Sequence, residues 1–331
     1  MFTLAGLALA ALVGPEPTPA AIRTSVEKAL PLLVKGATGH AEKRTCFACH
    51  NQSFTMVALH AARERGFPVD DAFVTKQADH VAAFFKDRRE PMTKGSLGGG
   101  VDTAGWGAYL LEKAGRDDAE AGPQVVEYLL KIHENLGGPW RATSSRPPSQ
   151  GSMFTSTYVA LRALKTWGTE AQQERIAKRV EAARAWLEKT PAKDNEDRVY
   201  RLRALKAAGA DANAVREAMV ELRQAQNPDG SWSQKDDMPG DPYATATALA
   251  ALREVGGMPA SSRGYKRGLS FLLRTQTADG SWHVKTRSRP IQSYFETGFP
   301  HAKDQFISAA STAWAVTALV QALPFEKASI R

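Results

Sequence analysis

Arg267-Gly268-Leu269-Ser270-Phe271-Leu272-Leu273-Arg274-Thr275-Gln276-Thr277-Ala278-Asp279-Gly280-Ser281-Trp282 decides the fold. Its first half is amphipathic at helical spacing, Gln276 marks the helix end, and Asp-Gly makes a turn that returns Trp282 towards that end. Gln226-Asn227-Pro228-Asp229-Gly230-Ser231-Trp232 repeats the second half. A degenerate copy, Tyr128-Leu129-Leu130 followed by Gly137-Gly138-Pro139-Trp140, lacks the Gln.

Working outward, the same unit recurs with a period of roughly 45–50 residues, the mark of stacked helical hairpins. Segments rich in Ala, Thr and Leu occupy 54–65, 102–114, 154–167, 197–208, 243–255 and 309–323. Gly66, Gly115, Gly168 and Gly209 follow four of them, as helix stops. Charged, amphipathic segments alternate with them at 21–35, 71–88, 118–135, 170–189, 211–226 and 262–275. Small residues allow close approach at a crowded centre, whereas amphipathic helices suit a wetted outer layer. The expectation is an all-α protein of about six hairpins with inner and outer helices. Turns from inner to outer helix are short. Connections from outer to inner helix are mostly long: 36–52, 89–101, 136–153, 227–242 and 276–308. The long loops should therefore share one face, where function concentrates.

The Gln-…-Asp-Gly-Ser-Trp stretches resemble the QW repeat of squalene and oxidosqualene cyclases, found in relaxed form in protein prenyltransferase β subunits. The resemblance covers roughly residues 100–323 and, more loosely, reaches back to residue 21. It implies an α/α toroid in which Trp232 and Trp282 staple neighbouring repeats. Squalene–hopene cyclases protonate their substrate through Asp-x-Asp-Asp. Here the nearest stretch is Gln234-Lys235-Asp236-Asp237, without the first Asp. Asp241-Pro242-Tyr243-Ala244-Thr245-Ala246 resembles the segment opening an inner cyclase helix, with one carboxylate. Asp236, Asp237 and Asp241 are the candidate acid group for a cyclase. The prenyltransferase zinc site needs a cysteine, and both cysteines lie elsewhere, at Cys46 and Cys49. Inner-helix aromatics are few: Trp106, Tyr109, Tyr158, Tyr200 and Trp314.

Those two cysteines form Cys46-Phe47-Ala48-Cys49-His50, in the first long loop. Cys-x-x-Cys-His is the attachment signal of a c-type haem, with thioethers from Cys46 and Cys49 and His50 as the proximal iron ligand. A helical turn would put both sulfurs on one side. Its continuation into Asn51-Gln52 resembles the Cys-x-x-Cys-His-x-Gln stretch heading bacterial squalene-cyclase-like proteins. Alternatives are a redox dithiol, or zinc with His40 and His50. For the distal iron position the rim offers Met92, Met153, Met238, His283 and His301, with Met153 and His301 preferred.

The 331 residues carry a net charge of +8, 43% hydrophobic and 24% charged residues, which suits a globular protein. Basic residues are dispersed, so nucleic-acid binding is not expected. Residues 2–13 are apolar but too short to span a bilayer, and Gly14-Pro15-Glu16-Pro17-Thr18-Pro19-Ala20 breaks the helix. Residues 1–20 therefore read as a signal peptide without its basic start, placing a single toroid domain, 21–331, in the periplasm or otherwise outside the cytoplasm. No later segment is apolar enough to cross a membrane.

Three functions follow. A haem c protein would transfer electrons to a redox partner or oxidise a substrate at the rim. A cyclase-like enzyme would take a small apolar ligand. A binding module would present Trp140, Arg141 and Arg146, or His283, Arg287 and Arg289, to a glycan or protein.

Overall fold

The computed structural model describes residues 15–326 apart from 117, 119 and 291. The expected signal segment lies largely outside the described residues. The first helix, α1 (Pro19–Lys43), starts from a Thr18 cap that accepts from the Ala21 N–H.

The outer helices are α1, α3 (Asp71–Asp87), α6 (Ala121–Lys131), α8 (Gln173–Lys189), α10 (Ala212–Gln224) and α12 (Arg263–Thr275). Each buries one stripe; α12 buries Tyr265, Gly268, Leu269, Phe271 and Leu272. The inner helices are α2 (Phe54–Arg63), α5 (Gly100–Lys113), α7 (Met153–Trp167), α9 (Asn195–Ala207), α11 (Pro242–Glu254) and α13 (Gln305–Val320). They are covered nearly all round, and every α13 residue from Ile307 to Val320 is buried. A short α4 (Arg89–Thr93) and a two-stranded ribbon, β1 (Trp232–Ser233) against β2 (Gly240–Asp241), decorate the connections. Each inner helix packs on the next, and α13 returns onto α2 and α1, so the ring closes. The fold is an α/α toroid.

The tryptophan turns are staples. The indole Nε1–H of Trp232 donates to the Leu222 carbonyl at 2.8 Å, and that of Trp282 to Leu272 at 2.7 Å. Trp140, in the degenerate copy, donates likewise to Leu129 at 2.9 Å. The backbone N–H of each tryptophan donates to an inner-helix threonine, Thr157, Thr245 or Thr312. Gln226 and Gln276 each donate to a carbonyl of the next outer helix, Gly264 on α12 and Ser25 on α1. Gln276 thus joins the last outer helix to the first.

Two local expectations are corrected. The first outer helix does not end at Lys35 but runs to Lys43. Gly36 and Gly39 serve close packing, not termination: a Cβ on Gly39 would lie 1.9 Å from the Thr297 carbonyl oxygen. The Cys46–Cys49 segment is not a helical turn. Ala48 is extended, and a π-helical turn begins only at Cys49 and runs to Ser53.

The long loops do gather at one end, over the N-termini of the inner helices. Ser288 donates to the Pro147 carbonyl, Arg287 to Gln234, and Gln150 approaches the Cys49 sulfur at 3.7 Å.

Candidate functional site

Inner-helix N-termini bring partial positive charge to the rim, which favours carboxylates there. Three are buried. Asp102 opens α5, Glu196 opens α9 and Asp241 caps α11. Asp102 accepts from the Ser156 hydroxyl at 2.5 Å, and burial raises its pKa to about 6. Asp241 accepts from the N–H groups of Tyr243 and Ala244, and burial likewise raises it to about 6.

Glu196 is the most perturbed of the three. It is 4% exposed. Thr155 Oγ1 donates to its carboxyl at 3.2 Å, and the Tyr243 hydroxyl lies 3.1 Å from Oε2. Burial, reinforced by the neighbouring Asp194, lifts its pKa well above the carboxylate range despite these donors. Burial thus favours its neutral, protonated form. Glu196 lines a rim cleft of about 310 Å³ walled by Pro147, Pro148, Met153, Phe154, Pro191 and Asp194. Ser152, Thr190, Lys193 and Asp197 are also in the lining. A carboxyl with raised proton affinity in such a mixed cleft is a setting for general-acid chemistry.

The candidate acid group from the sequence does not converge. Asp236 pairs on the surface with Arg198 at 3.1 Å, Asp237 is exposed, and Asp241 is held as a helix cap. Of the rim residues that the sequence offered as distal ligands, Met153 lines the cleft. His301 stacks on His283 at 4.4 Å, and its Nε2 is hydrogen-bonded to the Ser281 hydroxyl at 2.6 Å. His283 pairs with Asp304. Met92 is buried, and Met238 sits in the turn before β2.

The Cys46–His50 segment can be tested against haem c. Cys46 is exposed whereas Cys49 is buried. The Cys49 sulfur packs 3.8 Å from the Asp102 carbonyl oxygen and beneath Gln150, and burial pushes its thiol pKa up. His50 meets Phe306 edge-on at 5.4 Å, and burial holds it neutral. A neutral imidazole suits iron. With Cys49 covered by Gln150 and Cys46 exposed, haem attachment would need the chain around Gln150 to move off Cys49. Among the described residues no cluster of three His, Cys, Asp or Glu could hold a metal ion.

The interior differs from an open apolar chamber. Phe54, Trp106, Tyr158, Tyr200 and Trp314 meet there around Arg203, which donates to Glu254 at 2.8 Å. Its guanidinium lies 5.0 Å from the Trp314 ring centroid, 5.8 Å from that of Tyr158 and 5.9 Å from that of Tyr200. Burial opposes its charge, but Glu254 and the surrounding tyrosines hold its pKa above the usual value. Aromatic faces that could stabilise a carbocation already serve a guanidinium, which would repel one.

Comparisons with known proteins agree with this architecture. The family described as squalene-hopene cyclase C-terminal domain matches residues 186–331. Lanosterol synthase erg7A of Aspergillus fumigatus is 34% identical over 105 residues, 32% of this chain and 13% of that protein. Drimenyl diphosphate synthase of Streptantibioticus cattleyicolor is 37% identical over 84 residues, 25% of this chain and 14% of that protein. The matched stretches thus span only about an eighth of the length of these relatives. Among solved structures, the type II terpene cyclase MstE from Scytonema superposes with a TM-score of 0.58 at 16% identity, covering 93% of this chain and 99% of that one. Its R337A variant, in complex with geranylgeranyl dihydroxybenzoate as substrate, gives 0.59 at 15% identity, covering 92% and 97%. A protein from Actinoplanes gives 0.59 at 16% identity, covering 91% and 99%. The chain is a squalene-cyclase-like toroid.

Proposed function

We propose that this toroid binds a small, largely apolar ligand of isoprenoid type in the rim cleft and that Glu196 acts on it as a general acid. The observation that carries the reading is a buried carboxyl, its proton affinity raised by burial, lining a cleft with apolar side chains in its wall. The likeness to terpene cyclases supports the ligand class. The raised pKa also narrows the reaction. A carboxyl whose pKa is raised gives up its proton more reluctantly, so it suits an oxygen (epoxide, hydroxyl or carbonyl) better than an unactivated alkene. Thr155 and Tyr243 orient the carboxyl.

The test uses geranylgeraniol and its terminal epoxide as probes, with binding followed by calorimetry and products by mass spectrometry. Binding is expected in the wild type. Met153→Trp, which fills the cleft, is expected to weaken it about tenfold or more, a loss of ~1.4 kcal/mol. Absence of binding, or equal binding by the variant, overturns the assignment.

The residue order Cys46-x-x-Cys49-His50 supports a second reading: an exported protein with covalent haem c, serving a redox partner. It requires the chain around Gln150 to move off Cys49. A pyridine haemochrome spectrum after periplasmic expression with haem c maturation decides it. Haem that survives denaturation in the wild type and is lost in Cys49→Ala is the expected result. A haem-free wild type discards the reading.

A further inference from the structure

Three alternate inner helices, α5, α9 and α13, send side chains to the axis of the ring. Trp106, Tyr200 with Arg203, and Trp314 meet there, with Trp106 6.2 Å from Tyr200 and 6.5 Å from Trp314 between ring centroids. Helices two places apart in a ring touch only through groups that reach its middle. All four residues are at most 1% exposed.

Their polar atoms are left over. Trp106 Nε1, Trp314 Nε1, the Tyr200 hydroxyl, Arg203 Nε and Arg203 Nη2 have no hydrogen-bond partner among the described residues. Indole and guanidinium nitrogens donate only, and a phenol can donate. A buried donor without an acceptor is costly, so five together call for an acceptor-rich group. Water is a poor answer, because each molecule brings as many donors as acceptors. An oxyanion brings acceptors alone and complements the guanidinium.

A second cleft approaches the cluster from the end opposite the rim cleft. Where the inner helices terminate, a cleft of about 270 Å³ is lined by Arg65, Tyr109, Lys113, Arg253 and Glu254, among others. Its wall touches the donor cluster twice. Tyr109 stacks on Trp106 at 5.7 Å, and Glu254 holds Arg203. The cations Arg65, Lys113, Arg253 and Arg203 outnumber the carboxylates Glu64 and Glu254 around this mouth.

We propose that the axis of the ring binds the oxyanion head group of a small ligand, a carboxylate or a phosphate monoester, admitted through the mouth at the C-terminal ends of the inner helices. The site is independent of the rim cleft. Ligand at one end does not require ligand at the other.

Crystals soaked in sodium bromide, with anomalous data, test the site directly. Bromide is expected within hydrogen-bonding reach of Trp106 Nε1, Trp314 Nε1 and Arg203, and displaced by formate or by methyl phosphate; which of the two displaces it separates the two ligand sources. Calorimetry with formate and with methyl phosphate should show binding that falls about tenfold in Trp106→Phe/Trp314→Phe, which keeps the aromatic packing and removes two donors. Arg203→Met would abolish binding but can also impair folding, so the Phe double variant is the deciding one. Ordered water alone at the axis, or anion binding unchanged in the double variant, overturns the proposal.

Discussion

Glu196→Gln is expected to lower turnover of a bound isoprenoid epoxide by about 10²–10⁴-fold, the range typical of losing a general acid, with little change in KM. The amide is nearly isosteric. Its carbonyl still accepts from Thr155 and Tyr243, so the variant removes the transferable proton and leaves the packing. The pH profile supplies a second signature. Because the acid works protonated, wild-type turnover should fall as pH rises through its raised pKa, and the variant should lose that limb. Stability separates chemistry from misfolding. A carboxyl whose pKa is raised by folding binds its proton more tightly in the native state, so it costs stability as pH rises from its unfolded towards its folded pKa. Gln cannot ionise, so the variant should melt at or above wild type in alkaline buffer. Unchanged turnover with an unchanged profile would make Glu196 a structural residue.

What was legible in the sequence was local. The hairpin period, the inner and outer character and the Trp staples all follow from spacing and turn chemistry within a few dozen residues. The long reach of α1 was not. Gly36 and Gly39 look like helix stops because the partner that needs their bare backbone, Thr297-Gly298-Phe299, lies some 260 residues away. Glu196 was missed for a related reason. In Asp194-Asn195-Glu196-Asp197 it reads as one more acid in a helix first turn. Its burial comes from Thr155 and Tyr243 on the neighbouring inner helices, 41 and 47 residues distant. One signal was available. α9 carries Arg198, Arg201, Arg203 and Lys206, an unusual load for a helix in an inner ring. A charged residue at a position expected to face the centre points to paired or liganded chemistry there, as Arg203 shows.

Trp282→Ala is expected to destabilise the protein by about 3–5 kcal/mol, the cost typical of removing a fully buried aromatic. The side chain is wholly buried, and its Nε1–H satisfies the Leu272 carbonyl at the end of α12. Trp232→Ala should cost a similar amount, since its geometry is the same. Their consequences should differ in place. Trp232 staples α10 to α11, and Gln226 of the same turn reaches α12, neighbours in sequence as well as in space. Trp282 holds the turn from which Gln276 reaches Ser25, donating to its carbonyl at 2.9 Å and accepting from its hydroxyl at 2.8 Å. Those bonds span 251 residues and help close the ring. Once the turn loosens, α1 loses its anchor on α12 while the rest of the arc keeps its local contacts. Hydrogen exchange should therefore speed up in α1 and at the α13–α2 seam in Trp282→Ala, and around α10 in Trp232→Ala. Denaturant melts give the size of each loss. Equal exchange profiles for the two variants would mean that the toroid unfolds as one unit and that the seam is no weaker than any other joint.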